Sequence, residues 1–160
     1  MEIWRSFWRL TSVERRIVLE AAAALGVTWM GLRALGFRRW NATIEQFTVG
    51  KTPSAHRRNA SRVNPSDIDL ASATAMGLDL AARRLFFRTN CLERSLTLHW
   101  LLRCRGIAAD LRIGARKESE HFEAHAWIEL HGVVLNDPDE AHHHFAPFQG
   151  EITATETQTP

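Results

Sequence analysis

A chain of 160 residues is long enough for one domain with a real core and too short for two comfortable ones. Hydrophobic content of 45% and charged content of 24% are those of an ordinary globular protein and exclude the disordered and fibrous classes. Net charge is +2, yet residues 1–60 hold ten Lys/Arg against four Asp/Glu, a local +6 that leaves −4 on the remainder. A basic, Trp-containing half can face an acidic partner, but no nucleic-acid-binding signature accompanies it, so nucleic acid is not an expected partner.

Thr11-Ser12-Val13-Glu14 fits a capping box that opens a helix, with apolar residues running to Leu35 and Gly36 as its stop. Within it, Ala21–Leu32 (AAAALGVTWMGL) is uncharged but shorter than the roughly 20 residues of a membrane span, and no cleavage site follows. A buried or partner-facing helix and a cytoplasmic protein are expected. Ala42–Val49 is read as a short second helix, and residues 50–64 as an exposed loop. Asn64-Pro65-Ser66-Asp67 starts another helix, expected to run to about Phe87. Thr89-Asn90 breaks it, and Cys91 opens a helix to Arg105, ended by Gly106. Ile107–Ile113, Phe122–Glu129 and Val133–Asp137 read as strands, and the chain past residue 150 as a flexible tail. Helices first and then an antiparallel sheet argue an α+β fold. The division expected is an N-terminal helical region and loop over 1–63, a core over 64–150 and a tail over 151–160.

Cys91 and Cys104 on one helix lie about 20 Å apart, at about 1.5 Å per residue, too far to form a disulfide. Two unpaired thiols favour a reducing compartment. Cys91 sits at a helix start, where free amides and the dipole favour a thiolate, the attacking form. Cys104, at the far end, reads as core. A nucleophilic cysteine needs a base, and the base needs a group to orient it. The hairpin 123–137, EAHAWIELHGVVLND, supplies candidates for both. A two-residue turn at His131-Gly132 would place His125 opposite Pro138. A three-residue loop, Leu130-His131-Gly132, would pair Glu129 with Val133 and put His125 opposite Asp137. Glycine at the third loop position favours the second register, so His125 and Asp137 are expected to meet and to serve Cys91. His99 reads as a packing residue, and His121 and His131 as loop residues. His142, His143 and His144 diverge and lack zinc spacing. Glu93 and Arg94 are expected to be solvated. Neither metal nor organic cofactor is expected.

The runs NCLERSLTLHWLLRCRGIAADLRIGARK and FEAHAWIELHGVVLND resemble the lasso-peptide leader peptidases, transglutaminase-like cysteine proteases that process microcin-type precursors. The family's Cys in "CLxRSL", His in "AHAW" and Asp on the next strand match Cys91, His125 and Asp137. The resemblance implies a transglutaminase-like or papain-like core, with the nucleophile at a helix start packed on an antiparallel sheet, and removal of the leader from a ribosomally made precursor. It further implies the split form of the enzyme, a separate leader-recognition protein and an ATP-dependent cyclase acting afterwards. The same triad would also run acyl transfer to an amine. A non-enzymatic adaptor, binding through the basic half with Trp4, Trp8, Trp29 and Trp40 as docking anchors, is the remaining alternative.

Overall fold

The capping box at Thr11 forms as the sequence predicts. The Glu14 carboxylate accepts from the Thr11 amide at 2.7 Å, and the Glu14 amide donates to the Thr11 hydroxyl at 3.3 Å. A computed structural model describes residues 11–48, 65–118, 121–137 and 141–147. Trp4, Trp8, Asn64, the 50–64 loop, Pro138 and the 151–160 tail lie outside the described residues.

Helix α1 (Ser12–Thr48) is broken at Gly36, where φ is 74° and ψ 170°. The stop at Gly36 is therefore real, but helix resumes at once rather than at Ala42. α2 (Pro65–Ala82) ends five residues before the expected Phe87. The chain tightens there, with the Arg84 and Leu85 amides both donating to Ala81 O. This bend lets Leu85 pack on the core and Phe87 on Trp29 (5.1 Å between rings), and leaves Phe86 97% exposed. α3 (Cys91–Cys104) follows, closed by Gly106 at φ 79° and an Ile107 amide donating to Leu102 O.

The sheet has the order β3-β2-β1-β4, with β1 (Asp110–Glu118), β2 (His121–Leu130), β3 (Val133–Val134) and β4 (Ala146–Pro147), its neighbours pairing antiparallel. β1 starts and ends later than predicted, and His121 opens β2 instead of lying in a loop. The missed half of this ribbon is polar, and cross-strand charge rather than apolar run supports it. Arg116 Nε meets Glu123 at 2.8 Å there, as Arg112 Nε meets Glu129 at 2.9 Å in the predicted half.

α1 packs against both α2 and α3, and α3 lies on β2. One core joins them: Val18, Ala21 and Leu25 of α1, Ala71 and Leu78 of α2, Leu98 and Leu102 of α3, and Ile128 and Leu130 of β2. α1 is long and apolar enough to cross a bilayer by length and composition, but one stripe of it fills this core. Trp40 is likewise packed. It covers Gly31, where an added Cβ would fall 2.4 Å from the indole, and meets Trp100 edge-on at 6.0 Å. Alternation along β2 turns Ala126, Ile128 and Leu130 to the helices and His125 and Trp127 to the other face. A 3-10 turn (Ala141–His144) lies against that second face, and β4 follows it on the far edge of the sheet.

Candidate active site

Asn90 caps α3. Its side chain accepts from the Glu93 amide at 2.8 Å, and Glu93 returns a bond to the Asn90 amide at 2.9 Å. Glu93 is 4% exposed and bonded at 3.0 Å to Arg33 of α1, so its expected solvation is overturned. The carboxylate closes the cap, and a guanidinium from another helix neutralises it. Arg94 is also engaged, in an ion pair with Asp79 of α2. With Glu93 N and Arg94 N bonded to Asn90, the amides of Cys91 and Leu92 have no backbone partner among the described residues. They are the donors available to a developing oxyanion. Cys91 is half-buried and free. Cys104, read from sequence as core, is exposed. It is the last residue of α3, past the buried turn Leu98–Leu102.

The hairpin adopts the two-residue turn, correcting the predicted register. Leu130 pairs with Val133 and Glu129 with Val134, and His131 (φ 52°) and Gly132 (φ 81°) both lie in the left-handed region. Holding His131 there costs about 1–2 kcal/mol. The three-residue loop would instead lift Leu130, now 2% exposed, out of the core. Burying a leucine contributes about 1.5–3 kcal/mol, which outweighs the strain at His131 and selects the turn.

Asp137 nonetheless reaches His125, by a bend instead of by register. Leu135 N still donates to Ile128 O at 3.0 Å, but the Ile128 amide donates to the Asn136 side chain at 2.8 Å. A side chain thus replaces the ladder, the strand turns away, and Asp137 Oδ1 arrives 3.3 Å from His125 Nε2. That nitrogen is buried without an aligned hydrogen bond, so the contact is an ion-pair distance. The imidazole is held between rings, stacked on Trp127 at 6.0 Å and against Phe145 at 5.2 Å. Gly114, opposite His125 on β1, permits this, since a Cβ there would meet Phe145 Cβ at 2.9 Å. Burial would raise the Asp137 carboxyl, but the His142 amide and ring, and then His125, together hold it below the usual carboxylate value.

Cys91 is not hydrogen-bonded to His125 among the described residues; a buried link ties their elements together instead. Ser95, one turn after Cys91, donates to Ala126 O at 2.8 Å and accepts from Asn136 Nδ2 at 2.8 Å. Ala126 follows His125 and Asn136 precedes Asp137, so a neighbour of each candidate residue joins one network. Sequence reading missed it, because three polar groups 10 and 31 residues apart carry no local signal. Asn136→Ala should cost about 1–3 kcal/mol by stranding the Ile128 amide. Urea unfolding at pH 7 measures it, and an unchanged midpoint would show that the network adds nothing to stability.

A cysteine at the start of a helix packed on an antiparallel sheet, with a histidine on β2 in contact with an aspartate just past β3, is an arrangement of the transglutaminase-like class. The family model of the transglutaminase-like superfamily matches residues 31–149, and the chain belongs to that superfamily. It is also similar to the microcin J25-processing protein McjB of Escherichia coli, 41% identical over 51 residues. That stretch is 32% of this chain and 24% of the relative's length. No solved structure matches the chain at significance.

Proposed function

We propose that this protein is a cysteine peptidase that removes the leader from a ribosomally made lasso-peptide precursor. The observation that carries the reading is the His125–Asp137 contact, made by β2 and the bend after β3, both fastened through Ser95 and Asn136 to the helix that Cys91 opens. The likeness to a microcin-processing protein supports the substrate class.

The Cys91 thiol gives its proton to His125, and the thiolate attacks the scissile carbonyl carbon. The oxyanion takes hydrogen bonds from the Cys91 and Leu92 amides. As the C–N bond breaks, the imidazolium returns the proton to the leaving amine. Water, deprotonated by the same ring, then cleaves the thioester and frees the leader. Asp137 orients the imidazole and stabilises its charged form. Thiol and imidazole close up when substrate fills the site, as catalytic contacts in ligand-free enzymes commonly do. A separate leader-binding protein delivers the precursor, raising its local concentration at the site. The freed core amine passes to an ATP-dependent cyclase, which places the reaction in the cytoplasm.

A lasso-peptide precursor, co-expressed with the protein and read by mass spectrometry, tests the reading. Loss of the leader with uptake of one water is the expected mass. A product carrying an added primary amine in place of water would assign acyl transfer instead. An intact precursor, with the leader-binding protein present, would leave the adaptor.

A further inference from the structure

We propose that His142 is a positioning residue of this site, holding Asp137 so that one carboxylate oxygen is committed to His125; the inference rests on the peptidase reading above. Both donors that fix Asp137 come from this one residue. The His142 amide donates to Asp137 Oδ2 at 2.6 Å, and His142 Nδ1 lies 2.8 Å from the same oxygen. A ring nitrogen that close to a carboxylate oxygen carries the proton. With Oδ2 doubly bonded, Oδ1 is the oxygen left to face His125 Nε2 at 3.3 Å. The Asp137 side chain is 5% exposed, so protein donors stand where water would otherwise solvate the carboxylate.

The fold makes His142 rigid enough for this work. The 3-10 turn that carries it is fastened downstream, where β4 pairs with β1 at Gly114 and Ala115. Its ring packs 5.9 Å from Trp127, the indole that also stacks on His125. The His143 ring lies 4.0 Å from it, so these two rings do not diverge as expected from sequence. Trp127 therefore touches both imidazoles while Asp137 bridges them. A carboxylate with a single partner would swing about its terminal torsion. Two bonds at one oxygen stop that rotation, and a fixed carboxylate fixes the plane of the base.

Cleavage kinetics of a lasso-peptide precursor that the wild-type protein processes, with a leader-binding protein present, decide the matter across variants of the full chain. His142→Ala keeps the backbone bond to Asp137 and is expected to lower kcat about ten- to thirtyfold with KM nearly unchanged. His142→Asn, whose amide nitrogen falls where Nδ1 stood, should recover most of that rate. In an Asp137→Ala background, His142→Ala should cost nothing more, because its effect passes through the carboxylate. Equal losses in both backgrounds, or no recovery with asparagine, would make His142 merely structural and overturn the proposal. So would an inactive His142→Ala beside an active His125→Ala, which would make His142 the base. Full cleavage by Cys91→Ala is a separate outcome that removes the peptidase reading, and the proposal with it.

Discussion

Cys91→Ala should lower leader removal by a factor of about 10⁴ or more, because the loss of a nucleophile ends the covalent route altogether. The fold should survive. α3 is opened by the Asn90–Glu93 capping box, to which the Cys91 side chain contributes nothing, and alanine is the best helix former. Far-ultraviolet circular dichroism should be unchanged. Cys104→Ala should keep near-wild-type activity, since that thiol is exposed at the opposite end of the same helix. Wild-type cleavage by Cys91→Ala would falsify the nucleophile assignment, whereas equal losses at both cysteines would point to a structural cause. Trapping with iodoacetamide gives a second measure. In a Cys104→Ser background, one alkylated cysteine should accompany complete loss of cleavage.

Acid should weaken the protein by about 3 kcal/mol between pH 6.5 and pH 4, through His99 alone. Burial, then the positive charge of Arg103 one turn on, push the His99 pKa down from 6.5 to about 4, against a bond to the Ala109 backbone that raises it. The native ring stays neutral in that window while the unfolded ring takes up a proton, so protonation favours unfolding. The stabilisation is complete above pH 6.5 and is lost as pH falls toward 4. His99→Gln keeps a donor in place of the ring nitrogen farther from the backbone and cannot titrate. Urea unfolding at pH 7 and pH 4.5 should therefore show a much smaller acid loss for the variant. Asp137 acts below this window, its carboxyl being held under the ordinary 3.8. Identical acid losses in the two proteins would show that His99 is not the proton acceptor.

His125 and Asp137 meet as the sequence predicts, but not through the predicted register. Turn chemistry favoured a single left-handed glycine, and nothing local revealed that Leu130 belongs to the core. Once α3 packs on β2, leaving Leu130 in a loop costs more than straining His131, and the hairpin shifts by one residue. Asp137 then needs the bend made by Asn136, which exists because Ser95 of α3 is there to receive its amide. Glu93 behaves in the same way. Its place three residues after Asn90 spells a cap, but its burial depends on Arg33, which lies 60 residues away in the chain.

The sequence by itself determined what is settled within a few residues. Thr11–Glu14 and Asn90–Glu93 can close their caps without the rest of the chain, Gly36 and Gly106 end helices because they can adopt positive φ, and the charge-free run of α1 names a buried stripe. The order of helices followed by an antiparallel sheet was legible for the same reason. Only the tertiary structure decided the turn of the hairpin, the Ser95–Asn136 link, the exposure of Cys104 and the hold of His142 on Asp137. Each of those depends on comparing the burial of one group with the strain or solvation of another, and that comparison has no value until the helices and the sheet are packed together.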